Sequence, residues 1–385
     1  MDLICKTIFF FLLSLFATSW IYPKILKIAI QKNITDNPNI RKLQKRPVPV
    51  IGGITVCWGI LVSLLFYNTV VELTIPTTLI IALVIMLYIG SLDDIITLSP
   101  SSRFFIETVI ILLLIISEDC VINNFHGLWG YTIIPTWLSF LITIIACVGL
   151  INAINMIDGV DGLSSGYCIL TFSIIGILMY RNEDYFNTIL AFTTVGALVP
   201  FFFHNVFGEK TKMFIGDGGT LVLGTLTSWF LMSMFNTSSN IAMNMKANFG
   251  VIPCALAIWT IPVFDTIRVM IMRILKGKSP FSPDRTHFHH LLIDYGFSHL
   301  GTTCSIISIQ IIIFTTWWIT YKLGGSIELQ LYIVGALGLS TIFAYAIGRE
   351  IEHRRTKLYN TITKRKAITQ NSFIFDRLRD FVDGE

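Results

Sequence analysis

The sequence predicts an all-α, polytopic membrane protein, a bundle of about eleven transmembrane helices, on three observations. Its composition is 54% hydrophobic and only 14% charged, with a mean hydropathy of +0.71. Runs of about 20 apolar residues, each long enough to cross a hydrocarbon core of about 30 Å, recur along most of the chain. The runs are continuous and do not alternate with polar residues, which excludes a β-barrel.

Eleven membrane spans are predicted. The first is kept as a membrane helix because it is too long for a signal peptide and lacks a convincing small-x-small cleavage site. The fourth is short and could extend in either direction. The approximate bounds are 3–30, 49–68, 73–91, 104–117, 134–152, 163–180, 187–206, 213–235, 249–270, 302–321 and 328–348. The seven cysteines include no CxxC pair and are predicted to be packing residues.

The basic residues predict the orientation of the bundle. An odd number of spans places the termini on opposite sides of the membrane. With the N-terminus outside, 24 of the 28 Lys and Arg lie on the side of the C-terminus, which the positive-inside rule makes the cytoplasm. The chain then divides into a transmembrane domain, 1–348, and a basic cytoplasmic tail, 349–385. The predicted cytoplasmic loops are 31–48, 91–103, 152–162, 207–213 and 271–301.

Every polar cluster of chemical interest falls in one of these loops or at a helix end beside one. Asp93 and Asp94 follow the apolar run that ends at Gly90, after Ser91 and Leu92. Two adjacent carboxylates at a membrane boundary repel each other and lose hydration, so Mg²⁺, a basic side chain or a substrate must compensate them. Taken alone, the pair could also simply mark a helix end.

The next loop carries Asn152, Asn155, Asp158 and Asp161 after an equally apolar run. The two asparagines are three residues apart, so they share one face of a helix at its cytoplasmic end. Glycines after both aspartates interrupt the helix and let the backbone approach a ligand. Four oxygen-bearing side chains in ten residues indicate function, although the spacing is not that of an EF-hand.

Residues 216–219 form a glycine-rich turn that contains Asp217 and leads into a predicted helix. Such a turn presents free backbone N–H groups and the positive end of a helix dipole, which suits phosphate. The Asp217 carboxylate suits a hard cation that bridges phosphate oxygens. The turn is not a Walker A loop, because no Gly-Lys-Thr follows it.

His287, His289 and His290 are three of the seven histidines in the chain, and Arg285 precedes them. A zinc site is disfavoured because neither Cys nor Glu accompanies them at metal spacing. With the arginine they could contact a diphosphate through charge and hydrogen bonds, or they could lie in a solvated loop. The first cytoplasmic loop is basic as well, and the prolines and glycines that follow Lys45 fix its path more than lipid anchoring requires.

In this order, DNPNIRK…PVPVIGG, the DD pair, NAINMIDGVDGL, GDGG and SPFSPDRTHFHHLL resemble the polyprenyl-phosphate N-acetylhexosamine-1-phosphate transferase family. The resemblance runs from about residue 36 to 300. It is closest to the bacterial undecaprenyl-phosphate GlcNAc-1-phosphate transferases, glycosyltransferase family 4, which start cell-surface polysaccharides. It implies a multi-pass enzyme of the bacterial inner (cytoplasmic) membrane with ten or eleven spans and its active site on the cytoplasmic side.

The resemblance also implies substrates and a reaction. A UDP-N-acetylhexosamine, GlcNAc first among the candidates, would donate its sugar 1-phosphate to undecaprenyl phosphate and release UMP. Direct attack of the lipid phosphate on the β-phosphorus is expected, with a covalent intermediate on Asp93 as the minority mechanism. Membrane lipid is the expected surrounding, no nucleic acid partner is implied, and a homodimer is left open.

Residue roles are implied position by position. The implied catalytic residues are Asp93, Asp94, Asp158 and His289. The implied substrate-binding residues are Lys45, Asn152, Asp161, Arg285, His287 and His290, with Asp161 at a position that recognises uracil. The implied ligands of Mg²⁺, with Mn²⁺ as a substitute, are Asp217 and Asn155. Gln44 departs from close relatives, which usually have His there, so a titrating role at that position is in doubt.

Two alternative functions stay open. One is the peptidoglycan branch, which uses UDP-MurNAc-pentapeptide, although its histidine segment usually has three consecutive His and Phe288 interrupts the run here. The other is a transporter, which would place polar residues near the membrane midplane and often show repeated halves. Here the acidic residues lie at helix ends, and no internal repeat is evident.

Overall fold

The structure is a computed structural model that describes residues 2–36, 46–71, 75–235, 248–282 and 285–359, with the backbone alone for 353–359. Within these residues eleven helices are long and apolar enough to cross a membrane, as predicted. A two-stranded antiparallel sheet, β1 (Thr35–Asp36) with β2 (Val48–Pro49), precedes the second of them. The described part of the chain is therefore the all-α bundle that hydropathy predicts.

Thirteen α-helices lie in the described residues. They are α1 (Leu3–Gln31), α2 (Gly52–Leu65), α3 (Tyr67–Val71), α4 (Thr77–Ile96), α5 (Pro100–Glu118), α6 (Thr136–Met156), α7 (Leu163–Arg181), α8 (Tyr185–Phe207), α9 (Gly216–Phe235), α10 (Val251–Leu275), α11 (Phe288–Asp294), α12 (His299–Lys322) and α13 (Ile327–Tyr359). Helices α2 and α3 together form the second span, Gly52–Val71. A short 3-10 turn, Leu128–Gly130, lies between α5 and α6.

Several predicted loop boundaries differ from the structure because helices continue into the loops. The fourth span begins at Pro100, where Ser99 caps α5 by accepting a hydrogen bond from the Ser102 N–H (3.1 Å) and proline occupies the first helical turn. The predicted loop 91–103 is therefore largely helical. Loop 271–301 likewise contains the last turn of α10 and all of α11, and α6 runs into loop 152–162.

The last helix crosses position 349, where the tail was predicted to begin. Helix α13 continues to Tyr359 without a break. Arg349 stabilises this continuation, because its guanidinium pairs with Asp294 at 2.6 Å and with Glu352 at 2.9 Å. The predicted tail therefore begins as the last turns of a membrane helix.

Helix α9 forms the centre of the bundle. It is buried along its length, and α2, α4 and α6 pack around it. Helices α1, α7 and α8 flank this core on one side, and α10, α12 and α13 form a second group. Outer helices such as α1 and α13 expose most of their apolar side chains, as membrane-facing helices do. The first turn of α9, which carries Asp217, therefore lies at the middle of one end of the bundle.

Glycines let three helices meet at that end with almost no space between their backbones. A Cβ placed on Gly53 would lie 2.2 Å from the backbone N of Gly219, and one on Gly90 would lie 2.4 Å from the carbonyl O of Asp217. Small residues of this kind allow close helix packing inside membranes. They bring α2 and α4 directly against the first turn of α9.

We expect Gly53→Ala to destabilise the protein by about 1–3 kcal/mol, because the added methyl group meets rigid backbone and has nowhere to move. Thermal unfolding in detergent measures the effect. Gly149→Ala is the matched control, since a Cβ on this helical glycine of α6 meets nothing within 4 Å. Equal melting temperatures for the two variants would contradict the close packing at Gly53.

Helix α10 is kinked at Trp259, whose φ and ψ are −116° and 21°, just before Pro262. Proline cannot donate to the carbonyl of Ile258, so that carbonyl accepts a hydrogen bond from the Tyr167 hydroxyl at 2.8 Å. The Gln310 amide donates to the preceding carbonyl at 2.5 Å. These hydrogen bonds stabilise the bend, which sets the direction of the last three turns of α10.

Candidate active site

Arg103 connects three of the predicted site residues at one end of the bundle. Its guanidinium pairs with Asp93 at 2.9 Å, donates to the Asn155 Oδ1 at 2.9 Å and lies 3.9 Å from the Asp217 Oδ1. Helices α4, α5, α6 and α9 therefore contribute to one cluster, as the distribution of polar motifs predicts. Arg103 is not among the predicted site residues, although it is the one basic residue in the predicted loop 91–103.

Asp94 caps the central helix. Its two carboxylate oxygens accept hydrogen bonds from the backbone N–H of Asp217 at 2.9 Å and of Gly218 at 3.2 Å. A carboxylate at a helix N-terminus is stabilised by the unpaired N–H groups and by the helix dipole. The glycine-rich turn was expected to offer free N–H groups to phosphate, but these two are occupied by Asp94.

Glu107 is a buried carboxylate that the sequence analysis missed inside an apolar run. It is 1% exposed, accepts a hydrogen bond from the Asn152 amide at 2.5 Å and lies 3.6 Å from Nε of Arg103. Asn152, a predicted substrate-binding residue, therefore contacts this carboxylate in the structure. The two asparagines of α6 lie on the same helix face, as their spacing predicts, and each contacts a different part of the Arg103 cluster.

The chemistry of the cluster suits a magnesium ion. The Asn155 amide lies 2.5 Å from the Asp217 carboxylate and 2.7 Å from the Thr220 hydroxyl. Among the described residues no three His, Cys, Asp or Glu side chains form a ready metal cage. Mg²⁺ in phosphoryl-transfer sites is usually held by one or two carboxylates together with substrate phosphates, so an oxygen-rich cluster fits it without a cage.

The loop after α6 carries two carboxylates in different electrostatic states. Asp158 accepts a hydrogen bond from the Ser164 hydroxyl at 2.6 Å. Burial raises its pKa to about 7, and the negative charges of Asp217 and Asp161 act in the same direction. A large fraction of Asp158 is therefore protonated at neutral pH.

Asp161 has the opposite shift. Burial alone would raise its pKa, but the hydrogen bond to His299 and the charge of Lys212 bring the pKa below its usual value. The Asp161 Oδ2 lies 2.7 Å from His299 Nδ1 and 2.6 Å from Lys212 Nζ. The carboxylate predicted to recognise uracil is thus ionised and contacts both Lys212 and His299.

We expect Asp158→Asn to gain stability over the parent protein as pH rises from about 4 to about 7. The pKa of Asp158 is raised in the folded protein, so its contribution is fully present below the unfolded pKa of 3.8 and is lost as pH rises through about 7. Asparagine keeps the acceptor for Ser164 and removes the ionisation. Melting temperatures of both proteins from pH 4 to 8 measure the difference, and a constant difference would contradict the raised pKa.

The histidine segment contacts the loop of Asp158 and Asp161. His289 is buried, and a Cβ placed on Gly159 would lie 2.3 Å from its Nε2. This glycine is therefore needed for close contact between the two predicted clusters, which are about 130 residues apart in the sequence. The structure places His289 against the loop between α6 and α7.

Two of the three histidines are neutral at physiological pH. Burial lowers the pKa of His289 far below its usual value, and the neighbouring His290 and His287 add to the effect. Burial and the charges of His287 and Arg285 lower the pKa of His290 to about 4. Of the two kinds of contact considered from the sequence, charge and hydrogen bonds, neutral His289 and His290 therefore offer hydrogen bonds.

The remaining predicted substrate-binding residues are Arg285, His287 and Lys45. Arg285 is exposed, and its carbonyl accepts a hydrogen bond from Arg349 at 3.1 Å. Lys45 lies outside the described residues. His287 contacts Asp265 of α10 at 3.0 Å. Asp265 was not predicted from the sequence, because it is a single acidic residue within a predicted span. The signal that could have found it is Arg268, which lies three positions later and could pair with it on the same helix face.

Comparison with known proteins gives consistent matches. Residues 76–235 match the family described as glycosyl transferase family 4. The relatives named undecaprenyl-phosphate alpha-N-acetylglucosaminyl 1-phosphate transferase include proteins of three bacteria. The Haemophilus influenzae protein is 34% identical over 69% of this chain and 73% of its own length. The Pasteurella multocida protein is 33% identical over 70% and 74%, and the Escherichia coli K12 protein 29% identical over 71% and 72%.

Proposed function

The chain belongs to glycosyl transferase family 4, and on this premise we propose that it transfers N-acetylglucosamine 1-phosphate from UDP-N-acetylglucosamine to undecaprenyl phosphate. The relatives' names supply the lipid acceptor and the sugar phosphate. The UDP donor, the release of UMP and the location of the site on the cytoplasmic face of the bacterial inner membrane are part of the proposal.

The observation that carries the proposal is the carboxylate cluster around Arg103 at one end of a membrane bundle. Asp93, Asp94, Asn155 and Asp217 come from three helices and converge within hydrogen-bond or ion-pair distance of one another or of Arg103. Ionisable residues buried within membrane helices are energetically costly and usually mark functional sites. Phosphoryl transfer needs positioning and charge neutralisation, which such a cluster provides.

The hydrogen bonds of Asp93 and Asp94 favour direct transfer over a covalent aspartyl intermediate. One Asp93 oxygen accepts from the Leu98 N–H at 2.6 Å and the other from Arg103 at 2.9 Å. Both Asp94 oxygens accept from the first turn of α9. Carboxylates whose oxygens are engaged in this way are better suited to positioning than to nucleophilic attack.

In the proposed reaction an oxygen of undecaprenyl phosphate attacks the β-phosphorus of the sugar nucleotide. The bond from that phosphorus to the oxygen shared with the α-phosphate breaks, and UMP leaves with the electron pair. Asp217 and Asn155 would hold Mg²⁺, which when bound neutralises charge on phosphate oxygens. Arg103 contributes a fixed positive charge beside them, and neutral His289 and His290 can donate hydrogen bonds to the diphosphate or the sugar.

Release of UMP by the purified protein tests this function. The assay contains undecaprenyl phosphate, Mg²⁺ and one of several UDP-sugars, including UDP-GlcNAc, UDP-GalNAc and UDP-MurNAc-pentapeptide. We expect release with UDP-GlcNAc that needs both the lipid and the metal. Release with UDP-MurNAc-pentapeptide and with no other donor would assign the peptidoglycan reaction instead. Silence with every donor, from folded and lipid-loaded protein, would refute the transferase function and favour transport.

A further inference from the structure

Asp265 is a buried carboxylate at which the histidine segment meets α10. One oxygen accepts from His287 Nδ1 at 3.0 Å, and the other accepts from the Arg268 guanidinium at 2.5 Å. The backbone N–H of Phe288 donates to both oxygens at 3.2 Å. Because these oxygens are engaged within the protein, Asp265 is suited to holding other residues in place and not to binding a substrate itself.

The contact with His287 determines how that imidazole is presented. A carboxylate acceptor keeps a proton on Nδ1 and fixes the plane of the ring, so Nε2 is directed away from Asp265. A hydrogen bond from Nε2 to an anionic group would then have the Asp265 carboxylate on the opposite side of the ring. Among the described contacts, His287 is the histidine of the segment that has an acidic partner. It is therefore the imidazole best suited to meet a negatively charged ligand.

The support around Asp265 is rigid. Arg268 also donates to the carbonyl of Thr286 at 2.6 Å, and its guanidinium lies 3.5 Å above the Tyr345 ring of α13. Tyr167 and Gln310 stabilise the kink of α10 at Trp259, and the kink sets the direction of the part of the helix that carries Asp265. A polar group held from several sides in this way is preorganised and loses little entropy when a ligand binds.

We propose that Asp265 is a positioning residue that fixes the His287 imidazole for contact with the diphosphate of the sugar nucleotide, an inference that rests on the proposed function. His287 and His289 stack with nearly parallel rings, 5.6 Å apart. His289 in turn lies against Gly159, next to Asp158. Fixing His287 therefore orders a row of imidazoles that ends at the loop between α6 and α7.

Asp265→Asn is the first variant to measure, because it keeps the size of the side chain and one acceptor for Phe288 but removes the charge. We expect kcat/KM for UDP-GlcNAc to fall about 10–100-fold. The KM for undecaprenyl phosphate should stay within about threefold of the parent value, because Asp265 acts on the nucleotide-sugar side of the site. A merely structural loss would lower the amount of active enzyme without this selectivity.

Asp294→Asn is the matched control. It changes an aspartate of the same segment, at the other end of α11, whose partner is Arg349 and not a histidine. We expect its kinetics with both substrates to equal those of the parent protein. Asp265→Glu keeps the charge and should recover part of the activity lost in Asp265→Asn. If Asp265→Asn does not fold, the same kinetic comparison of the two substrates is made with Asp265→Glu, whose longer side chain displaces the carboxylate from His287.

A double-mutant cycle shows whether Asp265 acts through His287. We expect His287→Gln to cost less than about threefold in the Asp265→Asn background but far more in the parent protein, because the interaction is already lost. Independent, additive effects would overturn the proposal, as would unchanged kinetics in Asp265→Asn.

A spectroscopic readout separates this proposal from the proposed function. The ring ¹⁵N signals of His287, assigned by their loss in His287→Gln, should shift in Asp265→Asn and remain in place in Asp294→Asn. Parent protein that turns over no UDP-sugar would overturn the proposed function, and with it the contact to diphosphate, whatever the ¹⁵N result. Active parent protein with unshifted His287 signals in Asp265→Asn would overturn the role of Asp265 alone.

Discussion

Asp217→Ala should lower the rate of transfer by at least about 10³-fold, because a cation at a phosphoryl oxygen contributes several kcal/mol to the transition state. Asp217 lies in the first turn of the buried central helix, within 2.5 Å of the Asn155 amide and 3.9 Å from Arg103. It is the carboxylate best placed to hold Mg²⁺ where α4, α6 and α9 meet. The measurement is UMP release at saturating lipid and donor, with Mg²⁺ varied.

Asp217→Glu keeps the carboxylate but moves it along the side chain. We expect it to retain some activity with a higher Mg²⁺ requirement. Glu209→Gln is the control for loss of a negative charge. Glu209 is exposed, and its pair with the exposed Arg46, at 3.5 Å, is a surface contact that contributes little. Full activity in Asp217→Ala at ordinary Mg²⁺ concentrations would show that this carboxylate does not hold the metal.

Arg103→Met should reduce both activity and stability. The substitution removes the charge beside Asp93, Glu107 and Asp217 and leaves these carboxylates uncompensated. Breaking a buried ion pair on one side typically costs about 3–5 kcal/mol, so we expect a large fall in the unfolding temperature. Activity should fall by about 10²-fold or more, because the guanidinium also orients Asn155 through Nη2.

Arg103→Lys separates charge from geometry. Lysine keeps the positive charge but cannot bridge Asp93 and Asn155 with the planar fork of a guanidinium. We expect its stability to be close to the parent value and its activity to be intermediate. Added Mg²⁺ should raise the unfolding temperature of Arg103→Met more than that of the parent protein, since a cation replaces the missing charge. Equal stabilisation by Mg²⁺ would contradict the assignment of Arg103 to the carboxylate cluster.

The sequence predicts much of the bundle because the membrane imposes strong rules on composition. Eleven continuous apolar runs predict the helices, and residue types at their ends predict where polar groups gather. The ends themselves are less predictable, since Asp93 and Asp94 lie in the last turn of α4 and not in a loop. A helix end depends on caps such as Ser99, which a hydropathy pattern does not register.

The partners of the site residues were harder to predict for a physical reason. Arg103, Glu107 and Asp265 lie within or next to apolar runs. Each has one partner within its own helix and further partners that come from other elements only when the chain folds. Asn152 lies 45 positions from Glu107 in the chain, and His287 lies 22 positions from Asp265. Burial requires each single polar residue in a membrane helix to have a partner, so such a residue indicates a contact as clustered motifs do.

The glycines of the site illustrate the same limit. The sequence indicates that residues 216–219 form a turn suited to phosphate, but the structure gives the N–H groups of Asp217 and Gly218 to Asp94. Gly53 and Gly90 serve the packing of α2 and α4 against this turn. Whether a glycine-rich turn faces a ligand or a neighbouring helix depends on tertiary packing, which local sequence does not encode.

The position of a radioactive phosphorus tests the central claim most directly. The protein is incubated with undecaprenyl phosphate, Mg²⁺ and UDP-GlcNAc that carries ³²P in the β-phosphate, next to the sugar. Transfer of sugar 1-phosphate moves the label into the lipid phase, while the same donor labelled in the α-phosphate leaves its label in water as UMP. Label from the β-phosphate that stays in water as UDP while the sugar enters the lipid would contradict the account.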